Sequence, residues 1–134
     1  MDSSALPRPN SRKRFRISLG HAWSGVRHAV QNQRHVRFHL FTAIAVLASA
    51  VLLGVTPLEL AVLLATISLV VTAELFNTVV EAIVDLVSPE HHSLARVAKD
   101  VAAGAVLVSA GGAVLVGLVI LLPRVVSHVG RLLG

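Results

Sequence analysis

The sequence contains no cysteine and no tyrosine, and aromatic residues make up only 4% of its 134 residues. The lack of cysteine excludes disulfide bonds and thiolate metal sites. With so few aromatic side chains, we do not expect a surface that stacks nucleic acid bases. Charged residues are also scarce at 14%, whereas hydrophobic residues make up 54% and the mean hydropathy is +0.76. A soluble domain has about 25% charged residues, so this composition points away from that class.

The charges that are present are segregated by sign along the chain. Eight of the twelve Lys and Arg residues precede Phe38, whereas five of the seven acidic residues lie between Glu74 and Asp100. In a chain this apolar, we expect the basic residues to contact anionic lipid rather than nucleic acid.

Three long apolar runs follow the basic segment and predict an all-α integral membrane protein. We place the spans at about residues 36–55, 58–87 and 97–122. The apolar run from Val101 to Leu122 would extend about 33 Å as a helix, enough to cross a hydrocarbon layer of about 30 Å. A soluble bundle is disfavoured, because 134 residues cannot bury three helices that are apolar all round.

Residues 15–33 have the period of an amphipathic helix, with Phe15 and Trp23 on its apolar stripe. We expect this helix to lie in the membrane interface with Trp23 at headgroup depth, and a disordered basic arm is the alternative. The whole chain then divides into a disordered basic arm (1–13), a membrane domain (14–123) and a short C-terminal tail (124–134).

The distribution of Lys and Arg also predicts the orientation of the spans. The loop at 88–99 carries Arg96 and Lys99, whereas the hinge at 54–57 carries no basic residue. By the positive-inside rule, the N-terminus and the 88–99 loop face the cytoplasm, and the hinge and the C-terminus lie outside.

Four polar residues of the second span share one helix face. Glu74, Asn77, Glu81 and Asp85 are spaced by 3, 4 and 4 residues, which places them within a narrow arc of an α-helix. We call them the acidic row. Each charge at the centre of a span would cost about 2.5–3.5 kcal/mol, less near the interface, so the row is expected to serve a function.

Carboxylates on such a face fit Mg²⁺ with substrate phosphates, and a spare carboxylate can act as a general base. Lys99 and Asp100 precede the third span, where a lysine suits a phosphate. Phosphoryl transfer is therefore one interpretation. A proton or ion relay, or a polar seam between helices, explains the spacing about as well.

Two stretches resemble the signatures of the bacterial diacylglycerol kinase/undecaprenol kinase family. Residues 74–86 read Glu-Leu-Phe-Asn-Thr-Val-Val-Glu-Ala-Ile-Val-Asp-Leu, and residues 91–106 begin with His-His and contain Lys99-Asp100. The likeness extends in order and spacing over residues 14–123. It implies a homotrimer of three-span protomers in the bacterial cytoplasmic (inner) membrane. It further implies that the γ-phosphate of ATP is transferred, with Mg²⁺ as cofactor, to the hydroxyl of undecaprenol or diacylglycerol.

The resemblance also implies roles for single residues. Glu74 would be the catalytic base, and Glu81 and the position of Gln33 would bind the metal. Trp23 and Glu74 would contact the lipid. The implied nucleotide contacts are Arg14, His21, Asn77, Asp85, Glu90, His91, His92, Lys99 and Asp100.

Gln33 departs from the family pattern, which has a metal-binding Glu at that place. A glutamine offers a carbonyl oxygen but removes one negative charge, so we expect weaker magnesium binding. The alternative function is therefore an impaired family member that acts as a membrane scaffold or regulator.

Small residues repeat every fourth position on the third span. They favour close helix packing, either between protomers or within one protomer. The stripe consists of Ala105, Ser109, Ala113 and Gly117.

Overall fold

The computed structural model describes residues 11–88 and 92–133, and all of its regular structure in these ranges is helical. The helices are α1 (Ser11–Asn32), α2 (Arg34–Leu52), α3 (Pro57–Val87) and α4 (Ser93–Leu133). This order confirms the predicted all-α class with an amphipathic helix ahead of three apolar ones. Residues 1–10 of the predicted basic arm lie outside the described ranges, whereas its last residues already belong to α1.

Helix α4 is much longer than the predicted span of 97–122, and it absorbs most of the tail placed at 124–134. Pro123 lies inside this helix, although proline cannot donate a main-chain hydrogen bond. Two side chains bond to main-chain carbonyls near the proline. Arg124 donates to the carbonyl of Ile120 at 3.1 Å, and Ser127 donates to that of Pro123 at 2.9 Å.

The turn between α2 and α3 has a specific sequence cause. Gly54 has φ +62°, the left-handed conformation that favours glycine, and its N–H bonds to the carbonyl of Val51. The N–H of Val55 reaches the carbonyl of Ala50, which completes a Schellman motif. Helix α3 then begins immediately with a capping box between Thr56 and Glu59.

Helix α3 is the central element of the bundle. It packs along most of α4 and against α2, while α1 contacts both α2 and α3. The three apolar helices meet in a small core of Ala50, Leu63 and Ile120 near the hinge. We call this end of the bundle the hinge end, and the end with Asp85 and Lys99 the acidic end.

An ion pair joins α3 to α4 at the hinge end. Both guanidinium Nη atoms of Arg124 donate to the carboxylate of Glu59, each at 2.7 Å. The same carboxylate accepts from the main chain and the hydroxyl of Thr56. The capping box and the interhelical pair thus share one carboxylate.

Most large apolar side chains face outwards, including those of Phe38, Phe41 and Leu107. Helices α2, α3 and α4 are each long and apolar enough to cross a membrane. At the α-helical rise, α3 and α4 would extend about 46 Å and 62 Å, so their ends reach beyond a hydrocarbon layer of about 30 Å. The exposed apolar surface requires cover by lipid or by other helices, as in a membrane protein.

Candidate active site

The acidic row lies on one face of α3 and becomes more exposed towards the acidic end. Glu74 is 4% exposed and Asn77 is 8% exposed, whereas Glu81 is half-buried and Asp85 is exposed. Two apolar residues earlier in α3, Leu63 and Val70, are also buried. The row therefore continues the helix face that packs against the rest of the chain.

Glu74 is a buried carboxylate that lacks a charged partner. Within residues 11–88 and 92–133, its side chain takes part in no hydrogen bond or ion pair. Only its main-chain carbonyl is engaged, by the hydroxyl of Thr78 at 3.0 Å. A carboxylate in a buried residue that has no partner in the chain is available to a ligand.

The side chain of Asn77 is held in one orientation by its neighbour. Its Nδ2 donates to Oε1 of Glu81 at 3.0 Å. The reversed amide would bring two acceptor oxygens together, so chemistry sets this orientation. Asn77 Oδ1 is buried and has no hydrogen-bond partner among the described residues. An unsatisfied buried acceptor next to two carboxylates fits a cation or a donor that arrives with a ligand.

At the acidic end, the side chains of α3 and α4 meet. Lys99 Nζ donates to Oδ1 of Asp85 and forms an ion pair that is open to solvent. Asp100 lies 3.8 Å from Arg96 Nε on the same helix, in an exposed pair. The structure thus joins Lys99 to the acidic row, whereas it joins Asp100 to Arg96.

Gln33 occupies the junction between α1 and α2. Its φ and ψ of −101° and 116° are extended, so this residue breaks the helix, and its side chain makes no capping hydrogen bond. The residue is half-buried. Its amide is therefore available at the point where α1 turns into the bundle.

The other predicted residues of α1 lie further from this junction along the helix. Arg14, His21 and Trp23 are exposed, and Trp23 is 71% exposed. Across the described ranges, no hydrogen bond or ion pair connects them to the acidic row. Their assignment to substrates stays a prediction.

The loop between α3 and α4 is described only in part. Glu90 and His91 lie outside the described residues. His92 is exposed, and its Nδ1 accepts from the N–H of Leu94 at 3.2 Å. This bond satisfies one main-chain donor at the start of α4. His92 therefore has a structural role at the start of α4, and its contact with nucleotide stays a prediction.

The described side chains supply hard oxygen ligands without forming a closed metal cage. No three His, Asp or Glu side chains in the described ranges are grouped closely enough to hold a metal. Mg²⁺ is commonly bound by one or two carboxylates together with substrate phosphates, so it does not require such a group.

A family model described as prokaryotic diacylglycerol kinase matches residues 20–121. The chain belongs to this family. The match contains the acidic row and Lys99, and it leaves Arg14 and the last part of α4 outside. It makes this chain a member of a family of lipid kinases, and its three apolar helices indicate a bacterial membrane protein.

Three relatives show how this family member compares with others. It is 47% identical to a diacylglycerol kinase of Synechocystis over 112 residues, or 83% of this chain and 64% of that protein. It is 38% identical to an undecaprenol kinase of Bacillus subtilis, over 86% of this chain and 94% of that one. It is 30% identical to a diacylglycerol kinase of Escherichia coli, over 69% and 75%. The chain thus spans just under two thirds of the Synechocystis protein.

Sequence reasoning missed the link between Glu59 and Arg124. The motif Thr-Pro-Leu-Glu at 56–59 is a signal for the capping box, because a Thr followed three residues later by Glu is its usual pattern. No local pattern signals the partner at residue 124, since the two residues are brought together only by the packing of α3 on α4.

Proposed function

We propose that this protein phosphorylates a membrane lipid alcohol with ATP and Mg²⁺ at the cytoplasmic face of the bacterial inner membrane. The observation that carries the proposal is the side chain of Glu74, which is buried and has no partner, in a member of a lipid kinase family. Asn77 follows it by one helical turn and Glu81 by two. If the acidic row served only to hold helices together, we would expect each of its carboxylates to have a partner.

Glu74 is suited to act as the general base. It would accept the proton of the lipid hydroxyl as the hydroxyl oxygen bonds to the γ-phosphorus and the bond to the ADP oxygen breaks. Because Glu74 is buried, a phosphoryl group brought next to it would meet little bulk water, and transfer to water would be disfavoured.

The residues present fit a magnesium ion. Glu81 would hold it through a carboxylate, the free Oδ1 of Asn77 offers a neutral oxygen, and Gln33 would contribute an amide oxygen. When bound, the ion supplies charge stabilisation to the phosphate oxygens. Asn77 itself keeps the Glu81 carboxylate in place through its Nδ2.

Lys99 would stabilise the negative charge that develops on the nucleotide phosphates. Its ammonium group is a point charge suited to phosphate. In the structure Asp85 holds this group at the edge of the acidic row. Because the pair is exposed, Lys99 can exchange this partner for a phosphate at little cost.

The proposed orientation places the acidic end in the cytoplasm, where ATP is available, with the N-terminus on the same side. The surplus of basic residues before Phe38 supports this orientation. We further propose that three protomers assemble, since the three apolar helices of one protomer leave much apolar surface uncovered.

A transfer assay in mixed micelles tests this function. Purified protein is given labelled ATP with diacylglycerol or with undecaprenol, and phosphate on each lipid is measured with Mg²⁺ and after chelation. We expect magnesium-dependent label on at least one lipid. Absence of label from both would overturn the kinase proposal. The comparison of the two lipids identifies the substrate, because the relatives carry both names.

A second candidate, an impaired member that acts as a scaffold or regulator, is favoured by Gln33 alone. The test is Gln33→Glu, which adds the missing carboxylate at the α1–α2 junction. Under the kinase proposal, the wild type is already active and the variant needs less Mg²⁺ for half-maximal rate. A wild type without activity that gains it in Gln33→Glu would instead support the impaired member.

A further inference from the structure

Helix α4 continues past the length that a hydrocarbon layer requires. Its apolar run ends at Leu122, whereas the helix ends at Leu133, and we call residues 123–133 the C-terminal extension. If α4 continued along the membrane normal, Val129 would lie about 10 Å beyond Leu122. The interfacial layer on each side of the hydrocarbon is only about 5–8 Å thick. An upright extension would therefore place Val129 in water.

An apolar stripe on α4 crosses Pro123 and continues into the extension. Its members are spaced by four, three, four and three residues, which keeps them on one face of a helix. All of them are exposed, and the two in the extension, Val126 and Val129, are 63% and 46% exposed. The extension thus prolongs an open apolar surface of the membrane-crossing part of α4. The stripe consists of Leu115, Val119, Leu122, Val126 and Val129.

The opposite face of the extension is polar and basic. Arg124, His128 and Arg131 are spaced by four and three residues, so they share one face of the helix on the side away from the apolar stripe. Arg124 bonds to Glu59 on α3. The polar face is therefore turned towards α3, and the apolar stripe is turned away from it. This division into two faces is typical of a helix that lies in a membrane interface.

The side chain of Arg131 has nitrogens to offer to an anion. Its Nε donates to the main-chain carbonyl of Ser127 at 3.3 Å, and its two Nη atoms make no hydrogen bond or ion pair with residues 11–88 or 92–133. The sequence has no acidic residue after Asp100. Because guanidinium groups bind phosphate well, lipid phosphates are suitable partners.

Lipid is a better partner for the extension than a second copy of it. A second copy would add only further basic residues, since residues 101–134 contain no Asp or Glu. The bilayer offers acyl chains to the stripe and phosphates to the basic face. It also already surrounds the part of α4 from which the stripe continues.

We propose that the C-terminal extension lies in the membrane interface at the hinge end, with Val126 and Val129 against acyl chains and His128 and Arg131 at lipid phosphates. The helix bends at Pro123, where a main-chain hydrogen bond is missing and bending is easiest. Because the stripe is turned away from α3, a bend away from α3 brings it onto the bilayer. The pair of Arg124 with Glu59 holds the start of the extension at the membrane edge.

Spin labels measure the depth of each face, and the lack of native cysteine makes the labelling specific. Val126→Cys labels the stripe, His128→Cys labels the opposite face two residues away, and Val119→Cys is the reference within the span. All three side chains are exposed, so the fold should tolerate the labels. The full chain is placed in nanodiscs of phosphatidylcholine and phosphatidylglycerol. Collisions of each label with oxygen, which concentrates in hydrocarbon, and with a water-soluble nickel chelate are then measured.

We expect the ratio of oxygen to nickel collisions for Val126→Cys to be several-fold higher than for His128→Cys and close to that for Val119→Cys. Equal ratios for Val126→Cys and His128→Cys would overturn the proposal, since the two faces would then share one environment. Protection of the Val126→Cys label from both reagents, with broadening between labels, would also overturn it, because a second copy would then cover the stripe.

A charge variant tests the phosphate contact. Arg131→Gln is combined with the Val126→Cys label, and the control is Arg96→Gln, which removes the same charge from an exposed site at the acidic end. We expect Arg131→Gln to lower the ratio of immersed to water-exposed label about fivefold, and Arg96→Gln to leave it unchanged. Equal ratios in the two variants would overturn the contact of Arg131 with lipid phosphate.

Discussion

At the scale of single residues, the side chain of Asn77 links the parts of the candidate site. It donates to Glu81 and leaves one buried oxygen without a partner. An amide performs both tasks because it carries a donor and an acceptor on one planar group. Substitution by aspartate keeps nearly the same shape but removes the donor. The variant therefore tests the hydrogen bond separately from the packing of the side chain.

Asn77→Asp is therefore expected to disturb Glu81 while preserving the fold. Two carboxylates would face each other where a hydrogen bond exists now, and we expect the apparent affinity for Mg²⁺ to change and the rate to fall about 10- to 100-fold. The measurement is the rate of lipid phosphorylation as a function of Mg²⁺ concentration. A variant within twofold of the wild type at every concentration would show that the Asn77–Glu81 bond does not support the site.

At the scale of elements, the α2–α3 turn depends on one backbone conformation. Gly54 has φ +62° in this turn, and other L-residues pay about 1–2 kcal/mol there. We expect Gly54→Ala to lower the free energy of unfolding by about that amount. Gly25→Ala, within α1 where φ is negative, is the control, and alanine is expected to be neutral or stabilising there. Equal unfolding midpoints for the two variants in denaturant would contradict this assignment.

The ion pair between Glu59 and Arg124 at the hinge end leads to a second prediction about the helices. Glu59 and Arg124 bond through both nitrogens and both oxygens, so removal of either partner breaks the same link between α3 and α4. We expect Glu59→Gln and Arg124→Gln each to lower Tm by a few degrees. The double variant should lose less than the sum of the two. Additive losses in thermal unfolding would mean that the two residues act independently.

The elements also show what the sequence alone could predict. The spacing of Glu74, Asn77, Glu81 and Asp85 placed them on one face of α3, because helix periodicity is a local property. The pairs Asp85–Lys99 and Glu59–Arg124 join different helices, so they depend on how α3 and α4 are aligned. The end of the apolar run near residue 122 did not predict the end of α4, because the helix continues through Pro123 to Leu133.

At the scale of the whole molecule, composition was sufficient to predict the membrane protein, because three apolar helices in a short chain cannot bury one another. An apolar groove between α2 and α4, with α3 as its floor and Val46, Leu63 and Gly117 in its lining, could not be predicted in the same way. It exists because α3 packs along most of α4 while α2 touches both at the hinge end.

The central claim is that the buried Glu74 carboxylate removes the proton of a lipid alcohol during phosphoryl transfer. Glu74→Gln keeps the size of the side chain and removes its basicity. Glu59→Gln makes the same change at the other end of α3, outside the acidic row. The two variants therefore form a matched pair.

The most direct measurement is the rate of phosphate transfer from labelled ATP to lipid by the two variants, with ATP binding measured in parallel. We expect Glu74→Gln to lose about 10²- to 10⁴-fold in kcat while it still binds ATP, and Glu59→Gln to retain the wild-type rate per folded molecule. A Glu74→Gln protein that transfers phosphate as fast as Glu59→Gln would contradict the account.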